Sequence, residues 1–401
     1  GPVPPAAPVV QTPSHSSFLG LTLAARRGII SVQIIHPRFH SSKEFFPSRK
    51  EAIPVEQIIC LADRPWSSIP GRTQQLMSRL KQADILYFAP DSPAGEQRVR
   101  SNITVYGLPQ LPQLPQLTGV ELRRQGRFIA RTAARRRFTA PLLWTTHPRQ
   151  VQLLDALPHE GVIYDSFQEW AKAPSQWEGA LARAADLVFA ASPELADRLS
   201  PCSDNIALLP NGVTYPLFSG DDRPAPPMAS GPVLGFAGAL TDDLDLSPIF
   251  YAARQRPNWT FLRLGEDRGA PLLPRLRKLP NVKTAGPVSL SAVPDYLFRC
   301  HVLLDLIHLD QAYSGVISTR MYEYLSTGRP IVSMLLPDQV EPFPDVVYTA
   351  HNPEEFLLLC CHALEEAPDF VRARRMSHGR SAAWSRRAEE VSRILHTAGL
   401  L

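Results

Sequence analysis

The sequence predicts an α/β protein made of two parallel-sheet lobes, and three observations lead there. From Gln57 onward short apolar runs alternate with amphipathic stretches, the pattern of strands joined by crossover helices. At 219–232 the stretch SGDDRPAPPMASGP, polar and rich in turn residues, interrupts the series and reads as an interdomain linker, after which the alternation resumes. The chain has 401 residues, 44% of them apolar, enough for two hydrophobic cores of ordinary size. The expected division is a leader over 1–56, a first lobe over 57–213, a second lobe over 214–380, and a last helix over 381–401.

Composition narrows the classes of function. A net charge of +4 is too mild to announce a nucleic-acid binder, and no basic segment is interleaved with stacking aromatics. Cys60, Cys202, Cys300, Cys360 and Cys361 form neither a CxxC nor an even ladder, so a disulfide framework and a structural zinc site are both unexpected. A reducing compartment fits that usage. No run approaches the ~20 apolar residues of a membrane-spanning helix, and no signal sequence is visible, so a cytoplasmic chain is expected. Gly1-Pro2 reads as the scar of a protease cut.

The elements follow in order. Pro2 to Ser17 is rich in Pro, Ala and Ser and reads as extended or disordered, and IISVQIIH (29–36) is a strand pattern without an evident partner. IICLA, RTQQLMSRLKQA and ILYFA then read as strand, helix and strand, with Leu76, Met77 and Leu80 on one helical face. LPQLPQLPQL (108–117) cannot be helical, because proline lacks the amide and restrains its neighbour, and it reads as a stiff spacer. LLWTT, GVIYD, ADLVFAAS and NIALLPNGV complete the first lobe, with SPELADRLS a helix capped by Ser192. In the second lobe VLGFAGAL, TFLRLG, NVKTAG, HVLLDLI, PIVSM and VVYTA are six short apolar runs separated by helical stretches. Two such lobes place a ligand cleft between them, at the carboxyl ends of the strands.

Two segments carry more than fold. In ELRRQGRFIARTAARRRF, Arg123, Arg124, Arg127, Arg131, Arg135, Arg136 and Arg137 decorate a helix that also bears Leu122, Phe128 and Ile129. The pattern reads either as a solvated basic face or as an attraction site for anionic membrane or a phosphorylated, lipid-linked substrate. In RMYEYLSTGRPIVSM (320–334), Arg320 and Glu323 are three apart and share a helical face. Gly328 suits the helix end, Pro330 stops it, and a short buried strand follows. Arg320 and Glu323 are either an exposed ion pair or a cation and a carboxylate aimed at a ligand.

The ordered set ADLVFAASPELADRL, LLPNGV, GFAGAL, NVKTAGPVSLSAVPDYL and RMYEYLSTGRPIVS resembles bacterial glycosyltransferases of the GT-B fold, family-four type, and among them the teichuronic acid and surface-polysaccharide transferases. Trp66, Arg72, Gln74 and Gln75 echo a Trp-Arg-Gln-Gln segment of that subgroup. The resemblance spans Gln57 to the C-terminus. It implies two Rossmann-like lobes, a last helix over 381–401 that crosses back to the first lobe, a nucleotide-sugar donor in the second lobe, a glycan, lipid-linked or small acceptor at the first, retention of configuration, and no metal or other cofactor. Glu323 matches the acid that binds the donor ribose, and Arg320 sits where a cation faces the diphosphate. Gly238 and Gly265 would let backbone approach phosphate, and the backbone at Pro287 and Val288 would hold the base edge. The resemblance also has gaps. Gly315 stands where the first acid of the paired motif is expected, eight residues before Glu323, and Ala239 and Leu244 stand where the phosphate-clamp cations would be. A degenerate chain acting as a scaffold in a polysaccharide-assembly complex is therefore the alternative, and a sugar-nucleotide epimerase, lacking its acid and histidine set, is a weaker one.

In the first lobe His147, Asp165 and Glu169 lie at or just beyond strand ends, where polar groups face a cleft and can bind an acceptor or handle its proton. Their plainer readings are a cleft-edge histidine, a helix cap and a solvated helix residue. Asp243 to Asp245 reads as a capping loop rather than a metal site.

Overall fold

A computed structural model describes residues 57–92, 95–110, 118–170, 173–221, 231–242, 244–306, 315–334, 342–366 and 369–400. The leader, the IISVQIIH run, most of the proline repeat, most of the linker and Asp243 lie outside the described residues. None of the described helices is long and apolar enough to cross a membrane.

The first lobe is one sheet of eight strands: β1 (Gln57–Leu61), β2 (Asp84–Ala89), β3 (Glu96–Arg100), β4 (Ile103–Gly107), β5 (Leu142–Thr145), β6 (Gly161–Ser166), β7 (Leu187–Ala190) and β8 (Ile206–Leu208). Their spatial order is β3-β4-β2-β1-β5-β6-β7-β8, parallel throughout except for the edge pair β3/β4. Side chains alternate between two cores: Ile58 and Cys60 of β1 face one, Ile59 and Leu61 the other. Burial on both faces is why these strands read as unbroken apolar runs. β3 and β4 both escaped the sequence reading: EQRVR is mostly exposed and carries no apolar alternation, whereas ITVYG is a buried run that the reading passed over.

The helix predicted over 72–83 is shorter than its pattern, ending at Met77 (Arg72–Met77). The Ser78 hydroxyl turns back onto the Gln74 carbonyl and the chain tightens at Arg79, whose amide donates to Leu76 O, while Leu76, Met77 and Leu80 still fill the core. Ser192 caps the Pro193–Leu199 helix as its sequence predicts, accepting from the Leu195 amide.

The second sheet has β9 (Val233–Ala237), β11 (Thr260–Leu264), β13 (Val282–Ala285), β14 (Val302–Asp305), β15 (Ile331–Ser333) and β16 (Tyr348–Thr349), ordered β13-β11-β9-β14-β15-β16, with a small side ladder of β10 (Leu240–Thr241) and β12 (Asp267–Arg268). Both sheets therefore reverse direction next to their first strand, between β1 and β5 and between β9 and β14. Those are the points where open α/β sheets leave a crevice for ligands. The last helix, Trp384–Thr397, sets Trp384, Val391, Ile394 and Leu395 into the core of the first sheet. Its entry is pinned by Val213, whose amide and carbonyl bond Ala382 and Trp384.

Candidate active site

A cleft of about 390 Å³ is lined from the first lobe by residues that follow β1 and β6, Asp63 and Phe167 among them, and from the second by Val316, Ser318 and Glu323, which follow β14. The Thr319–Thr327 helix brings its N-terminus here. Ser318 caps it by accepting from the Met321 amide, and Gly328, at φ 71°, closes the other end in the left-handed conformation. A helix N-terminus favours anions by its aligned amides.

Arg320 extends from that helix to the switch point of the second sheet. Its Nε donates to Asp305 Oδ1 at 2.8 Å and its Nη2 to Leu306 O at 3.3 Å, and the guanidinium lies 4.9 Å from the Phe236 ring centroid. A Cβ on Gly238 would meet Nη1 at 2.7 Å, so glycine is what lets this nitrogen lie against the end of β9. Asp305 neutralises the guanidinium, and what Arg320 offers a ligand is directed N–H groups rather than a free positive charge. One turn on, Glu323 lies at the cleft wall, half-buried, with no hydrogen bond or ion pair among the described residues. Burial pushes its carboxyl up to about 8, with Arg320 pulling the other way.

Gly265 touches Gly238 through backbone: φ is 134° at Gly265, and a Cβ there would strike the Gly238 carbonyl. Gly265→Ala is therefore expected to cost about 1–3 kcal/mol and to displace the end of β9. Urea unfolding together with nucleotide titration checks this, and wild-type values in both would show that the contact is dispensable. Leu244 packs in the second core, 3% exposed, so that position supplies no phosphate cation. Val288 is half-buried beside the helical turn that starts at Leu290, its side chain packed inward. At Gly315 the backbone is left-handed, φ 61°, and a Cβ would land on the carboxylate of Glu194, whose Oε2 is buried without a partner. The glycine is required by a carboxylate arriving from the other lobe.

In the first lobe the expected residues separate. Asp165 is fully buried at the end of β6 and is taken up by Arg72, which approaches through Nε at 3.0 and 3.1 Å and through Nη2 at 2.8 Å. Arg72 also reaches Leu209 O and Asn211 Oδ1, and Asn211 Nδ2 donates to Ile317 O of the second lobe at 2.9 Å. Asp165 is thus a positioning residue for the cleft wall and caps no helix. Gln74 folds back on both backbone groups of Ser67, and Trp66 meets Tyr87 edge-on, so the Trp-Arg-Gln-Gln echo consists of residues that build this wall. Glu169 lies in the loop after β6, not on a helix, and is paired with Arg198 at 2.5 Å.

His147 follows β5 and caps the next turn: its Nδ1 accepts from the Arg149 amide at 3.0 Å, and its ring lies 4.2 Å from that of Trp170. Burial first, then Arg149, depresses its pKa to about 4. The neutral ring, with Nδ1 accepting, carries its proton on Nε2 and presents a donor rather than a base. Across the same crevice stands Asp63, just beyond β1, whose carboxyl is raised by burial. Sequence reasoning passed over Asp63 and Asp305, although Asp305 ends and Asp63 follows by two residues a strand that borders a switch point. Asp245 lies one residue before Leu246, the N-cap of the next helix, and accepts from the Ser247 amide at 2.8 Å.

No family model matches the chain. In sequence it is similar to TuaH of Bacillus subtilis (strain 168), described as a teichuronic acid biosynthesis glycosyltransferase, at 27% identity over 272 residues, 61% of this chain and 68% of that protein. Sucrose-phosphate synthase from Thermosynechococcus elongatus superposes with a TM-score of 0.68 at 14% identity, covering 85% of this chain and 98% of that one. Anabaena HepE, solved with UDP and glucose, gives 0.60 at 13% over 85% and 99%, and the lipopolysaccharide outer core galactosyltransferase WaaB gives 0.60 at 12% over the same shares. The chain has the GT-B fold, and its likeness is to glycosyltransferases, one of them assigned to surface-polysaccharide synthesis.

Proposed function

We propose that this chain transfers a hexose from a UDP- or GDP-linked donor to a glycan, lipid-linked or small acceptor, with retention and without a metal ion. The observation that carries the reading is the pairing of Arg320 and Glu323 on the cleft-facing turn of one helix. A nucleotide sugar presents a diphosphate and a vicinal ribose diol, and the two side chains offer N–H donors for the first and a carboxylate for the second. Gly238 lets Arg320 Nη1 lie against the end of β9, Gly265 lets its own backbone approach Gly238, and the helix N-terminus borders the cleft through Ser318 and Thr319. In the transfer the anomeric carbon–oxygen bond to the diphosphate breaks and its electron pair goes to the departing phosphate oxygen. The acceptor oxygen bonds to that carbon on the same face, and its proton passes to the phosphate oxygen. Arg320 stabilises the charge that develops there, and closing the lobes excludes water. A cytoplasmic enzyme that meets its acceptor at the inner face of a membrane is the setting we propose.

A thermal-shift panel of UDP, GDP, dTDP, ADP and CMP with their sugar conjugates tests this. A ligand at a hundred times its Kd adds about 2.7 kcal/mol. One nucleotide class should raise Tm, and Arg320→Lys should weaken it about tenfold, one charge-assisted contact. Silence across the panel would favour the scaffold.

A further inference from the structure

The exposed face of the Thr118–Arg135 helix borders an open groove of about 770 Å³ lined by Arg123, Arg124, Arg127 and Arg131 and by Leu108 and Gln110 of the segment after β4. Arg123, Arg127 and Arg131 recur every four residues, so like charges stack on one face, an arrangement that costs an isolated helix a few tenths of a kcal/mol per pair. Among the described residues no hydrogen bond or ion pair relieves them, whereas Arg136, Arg149 and Arg198 each have a carboxylate partner. Leu108 and Gln110 also line the crevice that holds Asp63 and His147, and Asp63 in turn lines the interlobe cleft. Three concavities thus join end to end, from unpaired arginines, past a carboxylate and an imidazole N–H, to the cleft that takes the donor.

We propose that this path is the acceptor site and that the acceptor is a phosphate-bearing saccharide, its phosphate in the arginine groove, a hydroxyl beside the reacting one donating to Asp63, and His147 Nε2–H holding a neighbouring oxygen. The proposal rests on the transferase reading of the cleft and names the acceptor's chemistry. A bilayer fits the groove less well. Leu122, Ile129 and Ala133 are buried against the sheet, Phe128 is packed on the same core, and Val120 is the one large apolar residue this helix exposes. Without an apolar outer face the helix has nothing to insert among lipid tails.

The test uses maltotriose carrying one terminal phosphate as probe, with unmodified maltotriose, inorganic phosphate and vesicles of 30% phosphatidylglycerol alongside, each titrated against the full chain. The phosphorylated trisaccharide should bind about tenfold more tightly than maltotriose and be displaced by inorganic phosphate. Arg123→Gln/Arg127→Gln should lose that preference, and Asp63→Asn should weaken the probe severalfold. The same charge change on the crossing helix, Arg386→Gln/Arg393→Gln, should do neither. Equal binding of both sugars, equal losses in the two double variants, an unaltered Asp63→Asn, or binding to vesicles without binding of the phosphorylated sugar would each overturn the proposal. A nucleotide titration of the wild-type chain separates the two readings: phosphate-sugar binding without any nucleotide binding would remove the transferase reading and leave the phosphate groove standing.

Discussion

Asp165→Ala is expected to destabilise the protein by about 3–5 kcal/mol, the cost of leaving a buried charge without its partner. The Arg72 side chain is 3% exposed and that of Asp165 is wholly buried. With the carboxylate gone, the guanidinium keeps, among the described residues, Leu209 O at 2.8 Å, Asn211 Oδ1 at 3.3 Å and the Phe167 ring at 5.8 Å. Replacing both partners, as Arg72→Met/Asp165→Leu, should recover most of the loss, because an apolar pair of similar volume carries no desolvation penalty. Urea midpoints of the two single variants and the double variant at neutral pH make the cycle. An Asp165→Ala midpoint equal to wild type would show that the ion pair holds nothing. The pair also matters beyond stability, since Asn211 links it to Ile317 and so to the segment that leads into the Arg320 helix. Asp165 would then act on the reaction through the position of that segment: Asp165→Asn should disturb donor affinity as well as acceptor KM, whereas a direct acceptor ligand would change acceptor KM alone.

The sheets were legible because both of their faces are buried, which turns each strand into a short apolar run. The division into two sheets follows from that rhythm. The antiparallel β3 was not legible, being a mostly exposed edge with no periodic signal. Arg320 and Glu323 could be singled out by helical spacing, since both sit on one element. Their partners could not. Asp305 reaches Arg320 from β14, Glu194 reaches Gly315 from the other lobe, and Arg72 reaches Asp165 across 93 positions of sequence. Gly315, read from sequence as a lost acid, turns out to sit against an acid supplied by tertiary packing. The arginine-rich helix shows the same limit. Its pattern reads either as a solvated basic face or as an attraction site for an anionic membrane or substrate; in the fold Leu122, Phe128 and Ile129 dock on the sheet, and the arginines look outward beside Val120.

Glu323 should make both stability and donor binding depend on pH. Its carboxyl titrates at about 8 in the folded chain against an ordinary value of 4.5. Between those values the folded state holds a proton that the unfolded state has released, so stability falls as pH rises, at up to about 1.4 kcal/mol per unit. Glu323→Gln, which cannot ionise, should flatten that slope and be the more stable protein at pH 8 to 9. Ligand binding should run the opposite way. A ribose diol donates two hydrogen bonds, and an ionised carboxylate can accept both while the protonated form has an oxygen committed to its own O–H. Affinity for the nucleotide sugar should therefore rise about tenfold or more as pH passes through 8, the worth of a charge-assisted bond. The sugar-linked diphosphate is a diester with no phosphate group titrating in this range, so the slope belongs to the protein. Titration of the cognate nucleotide sugar from pH 6 to 9 decides the matter. A flat profile in the wild type, or an equal slope in Glu323→Gln, would take the ribose away from Glu323, whereas a slope that vanishes in the variant would place the diol on that carboxylate.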